Sequence, residues 1–160
     1  MLKFCIEQWD KNKDKLQKDI ENNFAEYNNA SYKDLVVKVV DVIFNDEDNN
    51  YYDEKFDSKN IIEIDNGDYQ GTLLYIIPQD TYQPSESEYL MTYVGYGSCS
   101  GCDTLQAIQM WSYDDEDVED GEKEQFTKDM MSLCLNLVQN TIKPYNYGWR
   151  KDDRFVVVED

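Results

Sequence analysis

The sequence predicts a single α+β domain spanning residues 1–160, with an antiparallel sheet of about four strands and helices packed on one face. Three observations support this fold class. Apolar residues recur at helical spacing towards both ends of the chain, β-branched and aromatic segments fill its middle, and an Asn-Gly dipeptide separates two of those segments. Helices that flank a run of strands are typical of the α+β class.

The N-terminal part of the chain predicts two helices. Residues 2–30 repeat apolar side chains at spacings of three and four, which is the pattern of an amphipathic helix. Ser31 then caps a second helix, with Asp34 three residues later in the pattern of a capping box. The valine-rich residues 35–43 also suit a strand, but polar residues recur among them at helical spacing, so we predict a helix.

The middle of the chain predicts the sheet. Residues 61–65 and 69–77 are rich in apolar and β-branched side chains, and the Asn-Gly pair between them is a strong hairpin signal. Residues 88–96 have the same composition and predict a third strand. Residues 154–160 predict a fourth strand at the end of the chain.

Two further helices lie between the third and fourth predicted strands. A short one contains Leu105 and Ile108, and a longer one covers residues 125–143 and ends before Pro144. The predicted core takes large apolar residues from all these elements: Trp9, Leu16, Val36, Val40, Ile43, Ile62, Leu74, Ile76, Leu90, Tyr93, Leu105, Ile108, Leu133, Leu137 and Val157.

The chain is strongly acidic. It has 34 acidic residues against 15 basic ones, which gives a formal net charge of −19. Such a field repels nucleic acid and anionic membranes and attracts basic surfaces. No segment reaches the roughly 18 apolar residues of a membrane span, and the first residues lack the apolar core of a signal peptide. We therefore expect a cytoplasmic protein with reduced cysteines that binds neither a membrane nor nucleic acid directly.

Histidine and the sequence motifs of several large enzyme classes are missing from the sequence. Histidine is absent, which removes the commonest general base and every catalytic triad that contains it. No P-loop, dinucleotide-binding fingerprint or nucleophile elbow is present. We expect neither catalysis nor a cofactor.

The motif Cys99-Ser100-Gly101-Cys102 lies between the third strand and the short helix. A strand, a C-x-x-C motif and a helix follow one another in the same order in thioredoxin-like redox sites, where the helix start lowers a thiol pKa. The βαβ unit that precedes the motif in that fold is missing here. No proline is placed to lie opposite the pair.

A zinc site at Cys99 and Cys102 is a second interpretation of this motif. It needs two more ligands, and without histidine these would be cysteines or carboxylates. Cys5 and Cys134 lie among apolar residues in predicted helices, where a free cysteine behaves as a small hydrophobic residue. We therefore predict no metal, and keep Cys99 and Cys102 as the alternative metal ligands.

The third interpretation is a specialised strand-to-helix turn with a binding role, and the sequence favours it. Gly97 and Gly101 permit a positive φ, and the small residues let the strand and the helix approach closely. Ser100 or Asp103 can cap the helix that follows.

These same residues carry a resemblance. The stretch "YVGYGSCSGCDTLQAI", which follows "GTLLYIIPQD", resembles an element of small, uncharacterised proteins of bacterial viruses. The resemblance extends from the predicted hairpin to the short helix. It implies a viral protein that acts in the cytoplasm of the host cell, and it implies no activity.

Two acidic segments, residues 45–57 and 113–124, contain aromatic side chains among their carboxylates. Carboxylates can imitate the regularly spaced phosphates of duplex DNA, and aromatic side chains supply the desolvated anchors that charge alone lacks. The predicted partner-binding residues are Asp46, Glu47, Asp48, Tyr51, Tyr52, Asp53, Glu54, Tyr113, Asp114, Asp115, Glu116, Asp117, Glu119 and Asp120.

The sequence thus predicts a non-enzymatic, protein-binding inhibitor of viral origin. Its acidic, nucleic-acid-mimicking surface would block a basic site on a host nucleic-acid-handling or defence protein. The alternative hypothesis is a small zinc- or thiol-dependent protein centred on Cys99 and Cys102. The sequence leaves the oligomeric state open.

Overall fold

A computed structural model describes residues 1–47, 55–111, 118–146 and 152–159 of the protein. The described part has the predicted α+β architecture. Its elements, in chain order, are α1 (Lys3–Asn22), α2 (Phe24–Asn28), α3 (Tyr32–Lys38), a π-helical turn (Val39–Phe44), β1 (Ile62–Asp65), β2 (Gly71–Pro78), β3 (Tyr89–Tyr96), α4 (Thr104–Ile108), α5 (Asp120–Gln139) and a 3-10 turn (Asp153–Phe155). None of the described helices combines the length and the apolar character needed to cross a membrane.

The helix predicted over residues 2–30 is present as α1 and α2, which meet at Asn23. Asn23 leaves helical geometry, with φ −129° and ψ 44°. Its side-chain amide donates a hydrogen bond to the carbonyl of Asp19 at 3.0 Å. A side chain that bonds the neighbouring backbone in this way competes with the helical hydrogen bonds, which explains the break.

The capping box predicted for the next helix is confirmed at the start of α3. The amide of Asp34 donates to Ser31 Oγ at 3.2 Å, and the amide of Ser31 donates to Asp34 Oδ2 at 2.8 Å. The valine-rich residues that follow are helical, as predicted, but the last turn is a π-helix. The carbonyl of Ile43 in this turn accepts a hydrogen bond at 2.9 Å from the buried side chain of Asn12, which connects the turn to α1.

The three strands form one antiparallel sheet in the order β1-β2-β3. The predicted hairpin between β1 and β2 is confirmed, and residues 66–70 make the connection. Asn66 Oδ1 accepts a hydrogen bond from the amide of Thr72 at 2.8 Å, which closes the loop. The backbone of Gly67 approaches the carbonyl oxygen of Gln70 so closely that a Cβ at residue 67 would lie 2.2 Å from it. Only glycine fits there.

The prediction of a fourth strand over residues 154–160 is wrong. The described part of this segment forms the 3-10 turn and a single antiparallel bridge between Leu2 and Val157. Backbone hydrogen bonds of 2.8 and 2.9 Å flank the bridge and join the segment to the start of the chain. The segment therefore pairs with the residues before α1, and the sheet has three strands within the described ranges.

The helices cover one face of the sheet, which we call the inner face. Leu73, Tyr75 and Ile77 of β2 are buried on it. The prediction had placed the alternate residues Leu74 and Ile76 in the core, which is wrong: both lie on the opposite, outer face and are only partly buried. Other predicted core residues that prove to be exposed are Ile62 (53%), Tyr93 (46%) and Val157 (69%).

The remaining core predictions agree with the structure. Leu16, Val36, Val40, Ile43, Leu90, Leu105, Leu133 and Leu137 are buried, and Trp9 and Ile108 pack partly buried against them. α5 lies on the inner face of β3, where Thr92 Oγ1 donates to the carbonyl of Leu137 at 2.6 Å. The main cluster of buried residues thus lies between the helices and the inner face.

One end of this core is aromatic. The ring of Phe4 lies 5.4, 5.9 and 5.2 Å from the rings of Phe44, Phe56 and Phe155, measured between centroids. These four residues come from α1, the π-helical turn, the segment before β1 and the 3-10 turn. We call them the Phe4 cluster.

Candidate functional site

The turn between β3 and α4 is organised by the buried carboxylate of Asp103, which is 5% exposed. Its Oδ2 accepts a hydrogen bond from the amide of Gly97 at 2.9 Å, and its Oδ1 accepts from the amide of Gln106 at 2.8 Å and from the hydroxyl of Tyr32 at 3.2 Å. Tyr32 in turn accepts from the amide of Leu105 at 3.1 Å. Asp103, rather than Ser100, is therefore the helix cap, and it also fixes the turn against α3.

Cys99 and Cys102 face each other across this turn. Their sulfur atoms are 2.7 Å apart, both side chains are exposed, and both thiols are free. The amide of Cys99 donates to Cys102 Sγ at 3.1 Å. The pKa of the Cys102 thiol is lowered, chiefly by the hydrogen bond from the Cys99 side chain and further by that from the Cys99 amide. Cys102 is therefore more readily ionised than an ordinary cysteine thiol.

Glycine at residue 97 is required by close packing. A Cβ there would lie 2.4 Å from the carbonyl oxygen of Cys102 and 2.8 Å from its sulfur. Neither Gly97 nor Gly101 has a positive φ, so that part of the prediction is wrong, whereas the predicted close approach is present at Gly97. Because Gly97 has no side chain, the end of β3 can pack directly against Cys102.

The other two cysteines have the opposite environment. Cys5 and Cys134 are fully buried, and burial raises the pKa of each thiol to about 12. This agrees with the prediction that they are part of the core. Among the residues that the structure describes, no group of three or more cysteine, aspartate or glutamate side chains is arranged to hold a metal ion. The alternative metal site at Cys99 and Cys102 thus has no third ligand there.

A cleft of about 440 Å³ opens beside the cysteine turn. Trp111, 87% exposed, forms one wall, so we call it the Trp111 cleft. The segment after the C-terminal end of α4 is held to α2 by a pair of hydrogen bonds. Asn28 Nδ2 donates to the carbonyl of Met110 at 2.9 Å, and the amide of Met110 donates to Asn28 Oδ1 at 2.7 Å. The full lining is Asn28, Cys99, Ser100, Gln106, Gln109, Met110 and Trp111.

A second cleft, of about 360 Å³, lies between α4 and the sheet and is lined by residues of all three strands. Glu63, Asp65 and Asp103 contribute carboxylates to its lining, and we call it the acidic cleft. The hydroxyl of Tyr96 donates to Asp65 Oδ1 at 2.7 Å. This bond lowers the pKa of Asp65 and raises that of Tyr96 to about 12. Beside it, the hydroxyl of Tyr75 donates to Glu63 Oε2 at 2.8 Å.

These tyrosine–carboxylate pairs were not predicted from the sequence, although one signal for them was available. Glu63 and Tyr75 face each other directly across the hairpin. Asp65 and Leu73 are the last paired residues before the loop, and Glu63 and Tyr75 lie two positions further along each strand. The register of the hairpin, and with it this pair, therefore follows once the length of the loop is known. The pairing of Asp65 with Tyr96 depends on β3 as well, so it follows only from the full register of the sheet.

The outer face of the sheet is apolar and partly exposed. On this face, Ile62 of β1 lies beside Ile76 of β2. Leu74 of β2 lies between Ile64 of β1 and Tyr93 of β3. Ile64 is 44% exposed, and Ile142, which bridges to β3, is 49% exposed. The outer face comprises Ile62, Ile64, Leu74, Ile76, Met91, Tyr93 and Ile142.

The predicted acidic segments are only partly described by the structure. Asp46 is not on the surface: it is 1% exposed, and its carboxylate pairs with Lys11 and Lys15 of α1. Glu47, Glu119 and Asp120 are exposed, and Glu119 forms a capping box at the start of α5. The other predicted partner-binding residues lie outside the described ranges: Asp48, Tyr51, Tyr52, Asp53, Glu54, Tyr113, Asp114, Asp115, Glu116 and Asp117.

Many basic side chains are engaged within the molecule. Besides the two lysines at Asp46, Lys38 pairs with Asp19 at 3.3 Å and with Glu26 at 3.0 Å. Four more basic residues form ion pairs with nearby acids: Lys3, Lys13, Lys128 and Arg154. These pairs hold basic side chains of the described residues against carboxylates of the same chain.

The described residues thus offer three surfaces: a dithiol turn with a cleft beside it, an acidic cleft lined by tyrosines, and an apolar sheet face. The first can carry out sulfur chemistry, and the other two can bind. Comparison with protein-family models, with curated proteins and with solved structures found no match for this chain.

Proposed function

We propose that this protein is a non-enzymatic binding protein of viral origin that inhibits a host nucleic-acid-handling or defence protein by covering a basic site on it. The observation that carries the proposal is a partly exposed apolar sheet face on a molecule with a net charge of −19. The apolar face supplies contact area that excludes water. The charge determines which partner surface is attracted.

The outer face has the features of a protein-binding surface. Ile62, Ile64 and Tyr93 are between 44% and 53% exposed and adjoin one another through the register of the sheet. Single exposed apolar residues are normal on protein surfaces, but a contiguous apolar patch marks an interaction site. Aromatic and aliphatic groups at the centre of such a patch typically provide most of the binding energy.

The charge favours a basic partner. Attraction between a strongly acidic molecule and a surface rich in lysine and arginine acts over about 10 Å at 0.1 M salt and accelerates association. Nucleic-acid-binding proteins have such surfaces, because they neutralise phosphates. The acidic segments 45–57 and 113–124, apart from the buried Asp46, belong to this proposal through their steering charge, and the outer face belongs to it as the anchor.

The experiment that tests the proposal starts from capture. The tagged protein is incubated with a lysate of the host cell, bound proteins are identified by mass spectrometry, and the recovered partner is studied by surface plasmon resonance. We expect the association rate to fall steeply as salt rises. We expect duplex DNA to compete for the partner, because both ligands would occupy one basic site. Association that is independent of salt, or binding that DNA leaves unchanged, would contradict the mimicry.

A variant with reversed charge isolates the contribution of steering. Replacing Asp114, Asp115, Glu116 and Asp117 together by lysine should slow association and flatten its salt dependence, because the local field changes sign. The unfolding midpoint in urea serves as the control for intact folding. Unchanged association would remove this segment from the interface.

A substitution on the outer face isolates the anchor. Tyr93→Ala should weaken binding by about 1–3 kcal/mol, mainly through faster dissociation, because it removes an aromatic contact at the centre of the patch. Tyr82→Ala is the matched control: Tyr82 is 97% exposed in the β2–β3 connection, away from the outer face. Its removal should leave the dissociation rate unchanged. Equal effects of the two substitutions would show that the outer face is not the anchor.

A further inference from the structure

The sulfur atoms of Cys99 and Cys102 are not needed to hold their turn. The turn is closed by backbone hydrogen bonds from the amides of Cys102 and Asp103 to the carbonyl of Cys99, at 3.0 and 2.8 Å, and by the Asp103 carboxylate. The two sulfurs contact each other, the Cys99 backbone and the hydroxyl of Ser98, and the Cys102 sulfur also lies close to Gly97. Both cysteines are exposed. A purely structural turn would work equally well with serine at both positions.

The backbone of the turn is compatible with a disulfide. Residues three apart in a hydrogen-bonded turn have Cα atoms within about 7 Å of each other, and disulfides form when this distance is roughly 4.4–6.8 Å. The sulfur atoms already face each other at 2.7 Å, so bond formation requires only a small side-chain rotation. The close packing at Gly97 keeps Cys102 in this position.

We propose that Cys99 and Cys102 form a thiol–disulfide exchange site whose substrates are exposed disulfides of small molecules or peptides. Cys102 is the attacking residue and Cys99 is the resolving residue. Both thiols are exposed, so a substrate can reach Cys102 from solvent, and the resolving residue Cys99 lies in the wall of the Trp111 cleft. This activity is separate from the binding function proposed above.

The exchange proceeds in two balanced steps. The Cys102 thiolate attacks one sulfur of the substrate disulfide, forms a mixed disulfide and releases the other half as a thiolate, which takes up a proton. The Cys99 thiol then loses its proton to solvent and attacks Cys102 Sγ. This second step forms the Cys99–Cys102 disulfide and releases the remaining half as a thiol. In total, two electrons and two protons pass from the protein to the substrate.

The environment of each cysteine supports this assignment of roles. Cys102 accepts hydrogen bonds from the amide and the side chain of Cys99, and such bonds favour the thiolate. Cys5 and Cys134 are buried, so they have neither the exposure nor the ionised form that exchange requires. The chain therefore contains its own unreactive control thiols.

The test uses glutathione disulfide as the probe and the full-length reduced protein. We expect a Cys99–Cys102 disulfide, identified by peptide mass spectrometry, and release of two glutathione molecules per protein, while Cys5 and Cys134 stay reduced. The reaction should be about tenfold or more faster than that of an unstructured peptide with the sequence of residues 96–106, because the fold favours the thiolate and holds the pair together. A rate no faster than that of the peptide would overturn the proposal.

Variants separate the two roles. Cys99→Ser should stop at a stable mixed disulfide between glutathione and Cys102, because the resolving thiol is missing. Cys102→Ser should react about tenfold more slowly than the unmodified protein, because the thiol whose pKa the turn lowers is missing. Cys134→Ala is the control and should react as the unmodified protein does. Equal rates for the Cys99 and Cys102 variants would refute the assignment of Cys102 as the attacking residue.

Discussion

Replacing Asp103 with alanine is expected to lower the free energy of unfolding by about 3–5 kcal/mol, as measured by urea denaturation. The Asp103 carboxylate accepts hydrogen bonds from two backbone amides, those of Gly97 and Gln106, and from the hydroxyl of Tyr32. Alanine would leave these three donors without their acceptor in a buried site. A buried donor that loses its partner costs about 1–3 kcal/mol.

Two control variants make this expectation specific. Asp103→Asn keeps one acceptor oxygen and should cost clearly less than alanine. Asp34→Ala removes a carboxylate from another helix start, but Asp34 is exposed, so water can replace it, and the loss should be about 1 kcal/mol. If Asp103→Ala were no more destabilising than Asp34→Ala, the carboxylate would be an ordinary helix cap and not the centre of the turn.

The second large effect is expected at the Phe4 cluster. Phe4→Ala should lower the free energy of unfolding by about 3–5 kcal/mol, because it removes a buried ring and leaves a cavity between three other rings. Phe4 is 7% exposed and contacts Phe44, Phe56 and Phe155, which come from three separate segments. The substitution should therefore also loosen the segment that carries Phe155. Urea denaturation measures the first effect, and amide hydrogen exchange measures the second.

Phe4→Leu is the matched control for this prediction. Leucine fills most of the space, so the loss should be below that of alanine, and exchange at the C-terminal segment should stay close to that of the unmodified protein. If alanine and leucine were equally costly, ring-specific contacts would dominate over cavity formation. If Phe4→Ala left hydrogen exchange near Phe155 unchanged, the backbone bridge between Leu2 and Val157 alone would hold the segment.

The elements with short-range signals were predictable from the sequence. The capping box at Ser31 and the Asn-Gly hairpin each depend on residues within a few positions of each other. The helical form of the valine-rich segment followed from its periodicity. The buried state of Cys5 and Cys134 followed from their apolar neighbours.

The orientation of the sheet was not predictable, and the reason is physical. Successive residues of a strand point to opposite faces, and in β2 the residues on both faces are mostly apolar. The sequence therefore does not indicate which face of β2 is buried. The helices cover the face that carries Tyr75, whose hydroxyl reaches Glu63. The predicted strand over residues 154–160 was wrong for a related reason. These residues pair with the start of the chain through the bridge between Leu2 and Val157, and no local sequence pattern predicts such a long-range contact.

The candidate site shows the same limit. Asp46 looked like one acid among many, but its partners Lys11 and Lys15 are more than thirty residues away in sequence and bury it. The role of Asp103 as a helix cap was among the predictions, because capping is local. Its contact with Tyr32 was not, because it joins residues 71 positions apart.

The open side of β1 has a consequence for the colloidal stability of the protein. β1 pairs with one strand only within the described ranges, and Ile62 and Ile64 on it are exposed. An unpaired strand edge next to apolar side chains is a template for self-association between identical chains. At neutral pH the net charge of −19 opposes this encounter, because every copy repels the others. As the pH falls towards the isoelectric point near 4.1, that repulsion disappears while the apolar edge is unchanged. We therefore expect light scattering to rise steeply on acidification, and Ile64→Lys to delay the rise, because a lysine on an edge strand blocks strand addition.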